Sequence, residues 1–401
     1  RCADGLPFPG SLPRIAQPLG RKFAKKAEPS WATANILLAE GEIPMSNSRR
    51  LIGLLLAIAL LPLLAAGCGG RSANGNDAAG DSAPSESVSP APAAEETVKV
   101  KFSEVIRSIF YAPHYVAMSQ GFFRKQGLDV DMSTAQGSDK GAAALIAGTA
   151  DISLIGPETA IYIYNQQGGK TLKAFYQMTM KDGSFLLSRT KADSFQWSDL
   201  AGKTIIGWRP GSSPQMVLQS LLNREQVQGA DVLTNIASTA MAGAFTSGQG
   251  DYIQLFEPVA STLIQQGQAY YAASVGDEFG SYPETAYVAT SDYIAKHPDV
   301  IRKFTAAVSE ATQWLSTASD DEIAAALRPF FDGTPDDILV QSIRRYKEQE
   351  TWPLRPELTA ESFATLQNVL VENGVLKPEE KLADLSAIAD MSFVNERNGA
   401  G

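Results

Sequence analysis

From Val98 onward, apolar residues follow two alternating periods. VKVKFSEV (98–105) and LDVDMSTA (128–135) put apolar and polar side chains on alternate positions, the signature of a half-buried strand. Between them, PHYVAMSQGFFRKQG (113–127) repeats at helical spacing. The exchange continues with DKGAAALIAGTA (139–150) as helix, DISLIG (151–156) as strand, PETAIYIYNQQG (157–168) as helix and TLKAFYQMTM (171–180) as strand. A second series pairs TIIGWRP (204–210) with SPQMVLQSLLNREQ (213–226), VLTNIA (232–237) with TAMAGAFTSGQ (239–249), and DYIQLF (251–256) with EPVASTLIQQG (257–267). Strands separated by helices of about 10–15 residues build βαβ units and a parallel sheet.

PETAYVAT (283–290) is expected as a strand returning to the first series. After it the pattern turns helical, with starts at His297-Pro298-Asp299, Thr334-Pro335-Asp336 and Leu358-Thr359-Ala360-Glu361. About 300 residues in two α/β series favour two lobes over one core. The expected division is a first lobe over 98–184, a second over 185–284, and a return to the first lobe with C-terminal helices over 285–401.

The start of the chain reads differently. MSNSRR from Met45 leads into LIGLLLAIALLPLLAA and then Gly67-Cys68-Gly69. Two arginines, a short apolar run and small residues before a cysteine are the parts of a secretory signal over 45–67. The run is 16 residues long and contains Pro62, short for a membrane span. LLAAGC resembles a bacterial lipobox, with Ala65 where Leu is usual, which implies diacylation of Cys68. Residues 69–97 are small, polar and Pro-rich, a disordered leash reaching roughly 30 Å. Residues 1–44 lack a periodic core pattern and read as over-extended translation.

Charge narrows the partners. Of 34 basic and 44 acidic residues, 8 and 4 precede Cys68, leaving 26 and 40, or −14, for the remainder. Such a surface does not favour nucleic acid. Beyond Cys68 the chain has two histidines, His114 and His297, and no further cysteine, too few for a His/Cys metal cluster or a disulfide. No P-loop, nucleophile elbow or GxGxxG-type loop appears, so no cofactor is expected.

YAPHYVAMSQGFFRKQGLDVDM, AALIAGTADISLIGPETAIYIYNQ, DLAGKTIIGWRPGSSPQ and the closing MSFVNE, in this order, resemble the nitrate/sulfonate/taurine and thiamine-pyrimidine group of ABC-importer substrate-binding proteins. The similarity covers essentially all of 98–397. It implies an α/β, two-lobed type II periplasmic-binding-protein fold with mostly parallel sheets and a helical C-terminal segment. It also implies a monomeric, lipid-anchored receptor on the extracytoplasmic face of the cell membrane. Such a receptor captures a small molecule by lobe closure and passes it to the permease subunits of an ABC importer.

In open α/β sheets, ligands bind beyond the carboxyl ends of the strands. The loops there nominate Arg107, Tyr111, His114, Gln136, Gly137, Ser138, Gly156 and Glu158 from the first series. From the second they nominate Trp208, Arg209, Gly211, Ser212, Ser213, Ser238 and Glu257, with Tyr282 nearby. Each has a plainer use as well: Ser212 or Ser213 can cap a helix, worth about 1 kcal/mol, and His114 can be a solvated or hydrogen-bonded residue. IGPETA and LFEPVA are counterparts, each with a Glu beside a Pro between strand and helix, so one acid from each lobe is expected to face the cleft. Two acids suit an amine-bearing sulfonate or an N-heterocycle better than nitrate. The competing class is a secreted hydrolase or synthase on the same fold that uses Glu158 and Glu257 as a carboxylate pair.

Overall fold

The computed structural model describes residues 97–397 and 399. The segments read as signal, lipid anchor and leash lie outside them. Among the described residues, no helix is long and apolar enough to cross a membrane.

Among the described residues, ten strands form two five-stranded sheets. They are β1 (Val98–Glu104), β2 (Leu128–Thr134), β3 (Ile152–Ile155), β4 (Leu172–Thr179), β5 (Phe185–Ser188), β6 (Thr204–Ile206), β7 (Asp231–Leu233), β8 (Tyr252–Leu255), β9 (Tyr270–Ser274) and β10 (Thr285–Thr290). The orders are β2-β1-β3-β10-β4 and β7-β6-β8-β5-β9. Strands β1, β2 and β3 are parallel, as are β6, β7 and β8. The antiparallel member of each sheet is the first strand after the chain has crossed from the other sheet: β10 lies against β3 and β4, and β5 lies against β8 and β9. Each sheet is therefore mostly parallel. The two share one topology, with β3 equivalent to β8.

Fourteen α-helices surround these sheets: α1 (Ala112–Ser119), α2 (Phe122–Lys125), α3 (Ser138–Ala147), α4 (Glu158–Asn165), α5 (Ser213–Arg224), α6 (Met241–Thr246), α7 (Val259–Gln265), α8 (Val275–Phe279), α9 (Ser291–Lys296), α10 (Pro298–Thr317), α11 (Asp320–Leu327), α12 (Asp336–Glu348), α13 (Ala360–Glu372) and α14 (Ser392–Arg397). The single helix expected over 113–127 is two, because Gly121 adopts a left-handed φ of 75° between α1 and α2.

The chain crosses between sheets twice, over 180–184 and again before β10. Tyr282 N–H donates to Met180 O at 2.9 Å, tying one crossing to the other. The C-terminal helices brace both halves. On α12, the Tyr346 hydroxyl donates to Gly183 O of the first crossing at 2.8 Å. On α13, Glu372 accepts from Ser220 of α5 at 2.8 Å.

The buried side chains form two clusters, and both run through residues of both sheets. In the first, Tyr287 of β10 packs on Phe304 of α10, with ring centroids 4.9 Å apart.

Candidate functional site

Between the sheets lies a cavity of about 480 Å³. Its wall is made of the loops that leave the carboxyl ends of the parallel strands, where this topology opens a crevice. Val105, Ile106 and Tyr111 follow β1; Gln136, Gly137 and Ser138 follow β2; Gly156 and Glu158 follow β3. From the second sheet come Trp208, Arg209, Ser212 and Ser213 after β6, the run Ile236–Thr239 with Met241 after β7, and Phe256 after β8.

Glycine has a stated reason at two of these positions. A Cβ on Gly156 would lie 2.2 Å from both carboxylate oxygens of Glu158, so this carboxylate folds back over the turn that precedes its own helix. A Cβ on Gly137, where φ is 147°, would lie 2.6 Å from Arg209 Nη1. The guanidinium thus crosses from the second sheet to rest on the β2 loop.

Two bonds cross at the cavity wall, and a third joins the two sides behind it. Ser213 Oγ donates to Glu158 Oε2 at 2.9 Å, Arg209 Nη1 pairs with Asp139 Oδ1 at 2.8 Å, and Tyr162 OH donates to Gly211 O at 3.3 Å. Tyr282 OH donates in turn to Ser213 Oγ at 3.3 Å. Glu158 is 2% exposed, and burial pushes its titration up to about 7 against the pull of its own backbone N–H, the Ser213 hydroxyl and the Arg209 charge. It lies in the first turn of its helix and also meets the opposite wall. The aromatic part of the wall includes Trp208 set edge-on to Phe256, with ring centroids 5.1 Å apart. Trp208 Nε1 is buried with no hydrogen-bond partner among the described residues.

Eleven of the sixteen nominated residues stand on this wall: Tyr111, Gln136, Gly137, Ser138, Gly156, Glu158, Trp208, Arg209, Ser212, Ser213 and Ser238. Five do not. Gly211 sits just behind it and accepts from Tyr162, and Tyr282 is buried behind Ser213. Arg107 turns to Glu104 at 2.7 Å and to Phe330 O at 3.1 Å, because the buried Glu104 needs a cation beside it. His114 lies in the core, stacked on Phe102 at 3.9 Å with Nδ1 2.9 Å from Tyr287 OH. Burial first, then the Arg107 charge, pushes its titration down to about 3, so the ring is neutral.

Glu257 departs furthest from expectation. Its turn is the topological counterpart of the Glu158 turn, but its side chain points away from the cavity. Glu257 Oε1 pairs with Arg345 Nη1 of α12 at 2.7 Å and accepts from Ser261 Oγ at 2.8 Å, while Oε2 accepts from Ser261 N–H at 2.8 Å. Its backbone O accepts from Ser108 Oγ at 2.6 Å, and its N–H donates to Tyr346 OH at 3.1 Å. Glu257 is thus a junction of both halves with the C-terminal helices. The carboxylate pair that the hydrolase reading needs is not assembled on the wall.

Two further acids stand on the wall with Glu158: Asp139, paired with Arg209, and Glu284, with Thr285 beside it. Pro283-Glu284-Thr285-Ala286 repeats the Pro157-Glu158-Thr159-Ala160 of the α4 turn, a local signal that the assignment of 283–290 to a strand leaves unused. Among the described residues, no three of His, Cys, Asp and Glu converge as a metal site requires.

Comparison with known proteins places this architecture. The profile of the family described as NMT1/THI5 like matches residues 109–321. YtlA of Bacillus subtilis (strain 168), whose name marks it as a binding protein, is 41% identical over 286 residues, covering 70% of this chain and 86% of that protein. Among solved structures, the periplasmic nitrate-binding protein NrtA from Synechocystis PCC 6803 superposes with a TM-score of 0.61 at 17% identity, covering 76% of this chain and 89% of that one. The alkanesulfonate-binding protein SsuA from Xanthomonas axonopodis pv. citri, bound to MOPS, gives 0.59 at 16%, covering 74% and 100%. These two share the fold. The chain belongs to the NMT1/THI5-like family and is built on the two-lobed periplasmic-binding-protein fold.

Proposed function

We propose that the protein is the solute-binding component of an ABC importer. It is held by a lipid on Cys68 at the extracytoplasmic face of the membrane and works as a monomer. In this reading it captures a small polar molecule by lobe closure and hands it to the permease subunits. The observation that carries the reading is the cavity itself. It is walled by the strand-end loops of both sheets and spanned by direct bonds from one to the other, so an occupant would touch both halves at once. A ligand that contacts only the closed arrangement stabilises it. NrtA and SsuA, a nitrate-binding and an alkanesulfonate-binding protein, support solute capture as the use of this fold.

The wall chemistry favours a particular class of solute. Arg209 is engaged by Asp139, Lys140 also stands on the wall, and Glu158 and Glu284 contribute acceptor oxygens. Tyr111, Trp208 and Phe256 supply flat apolar surface. An uncharged N-heterocycle such as a pyrimidine, with N–H donors for the carboxyls, fits this wall best. An amine-bearing sulfonate such as taurine comes next, and a bare oxyanion last. Thermal melting in the presence of nitrate, taurine, an alkanesulfonate and a set of aminopyrimidines tests the order. A ligand in hundredfold excess over its dissociation constant adds about 2.7 kcal/mol of stability. Stabilisation by nitrate alone would reverse the assignment.

A further inference from the structure

Asp182 lies on the first crossing between the sheets and Glu284 on the second, immediately before β10. Both are buried, at 0% and 3% exposure, and Glu284 is also part of the cavity wall. The two segments are joined beside them, Tyr282 N–H donating to Met180 O at 2.9 Å and the Thr179 and Thr285 hydroxyls bonding each other at 2.7 Å, and each carboxyl acts on the other's titration. Asp182 Oδ1 takes the Ser184 N–H at 2.8 Å and also accepts from the Ser184 hydroxyl. That leaves Asp182 Oδ2 and Glu284 Oε2 buried with no donor among the neighbouring side chains. Two ionised carboxylates offer only acceptors, so their contact would be repulsive and both oxygens would stay unsatisfied. One proton between them removes both faults.

We propose that Asp182 and Glu284 share a single proton across the two crossings, so that Glu284 meets an occupant of the cleft as an uncharged carboxyl. The surroundings agree. Glu158 on α4, Tyr111 after β1, Tyr282 on the second crossing and Tyr346 on α12 face Glu284, and none of them supplies a positive charge. Lys181, beside Asp182, is turned to Asp277 at 3.1 Å. Gln349 Nε2 donates to the Asp182 backbone O at 2.8 Å, and Gln254 Nε2 donates to Ser184 Oγ at 2.8 Å; both are neutral. Burial, followed by the Asp182 charge, pushes the Glu284 titration well above the usual carboxylate range.

Two consequences follow. Glu284 acts as a specificity residue that rewards N–H donors without demanding a cation, and Asp182 is the positioning residue that keeps it neutral. Because the proton joins the two segments on which the lobes turn, its loss places two like charges in the hinge.

The inference rests on the solute-binding reading for its meaning, but its test needs no solute. In Glu158→Gln, which removes the other buried acid of the cavity wall, the infrared spectrum near neutral pH should show a carboxylic-acid carbonyl band. Adding Glu284→Gln should abolish it. Glutamine copies the shape and donor of the protonated acid. The folding equilibrium constant of the double variant should therefore gain on that of Glu158→Gln by about tenfold per pH unit above the ordinary carboxylate range, until the pair itself ionises. Absence of the band at neutral pH, or parallel pH profiles for the two proteins, would overturn the proposal. If Glu284→Gln does not fold, the band in Glu158→Gln and its disappearance at alkaline pH decide alone. Failure of any solute to bind would defeat the receptor reading and leave the shared proton standing.

Discussion

Ser213 and Glu158 join the two halves of the molecule: Ser213 Oγ, at the start of α5, donates to Glu158 Oε2, at the start of α4, at 2.9 Å. Ser213→Ala keeps both helices and removes a donor from a buried carboxylate, which costs about 1–3 kcal/mol. The loss should be largest above about pH 7, where Glu158 is ionised. Melting curves across pH check this, and solution scattering should show a slightly larger radius of gyration in the unliganded variant. Identical melting of wild type and variant above about pH 7 would mean the bond contributes nothing.

Glu158 should also leave its own mark on stability. Its folded titration, about 7, lies above the ordinary value of 4.5. Between those limits the folded state holds a proton that the unfolded state has released. Stability therefore falls as pH rises through the window, by at most about 1.4 kcal/mol per unit, and levels off above it. Glu158→Gln should flatten that part of the profile and be relatively more stable at high pH. For a bound solute whose N–H groups meet the carboxyl, the same substitution should weaken binding by about 1.5–3 kcal/mol. An unchanged pH profile would show that the carboxyl is not buried in solution.

Glu257 behaves as its contacts dictate. Glu257→Gln breaks a buried pair with Arg345 and should lower stability by about 3 kcal/mol while leaving solute affinity nearly unchanged. Calorimetric titration and denaturant unfolding of the one variant separate the two effects. A large loss of affinity with little loss of stability would return Glu257 to the binding site.

The contrast between these glutamates shows how far the sequence could be read. Helix and strand periods located the strands of both βαβ series, and the rule of strand carboxyl ends located most of the wall. Strand β5 escaped because FLLS is four buried residues with no alternation to betray it, and β9, the YYAAS of 270–274, escaped as well. IGPETA and LFEPVA carry the same local signal, and what turns Glu257 away is Arg345, 88 residues later in the chain. His114 gave no local sign of its burial, because the Phe102 and Tyr287 that enclose it come from two distant strands. Asp182 and Glu284 meet because the chain crosses twice between sheets, and no short pattern encodes that.

Cys68 provides a prediction about the cell. If it carries the lipid, Cys68→Ser should abolish labelling by a fatty-acid probe and shift the protein from the membrane to the soluble fraction. Retention of the variant in washed membranes would remove the anchor from the account.

The central claim is that the cavity between the sheets holds a small solute, and native mass spectrometry of freshly purified protein tests it most directly. The account predicts one small molecule per chain, released on denaturation. The bound molecule should be absent from a variant that combines Tyr111→Ala with Trp208→Ala, which strips two aromatic faces from the wall. A bare polypeptide mass for the wild type, unchanged after exposure to nitrate, taurine, alkanesulfonate and aminopyrimidines, would contradict it.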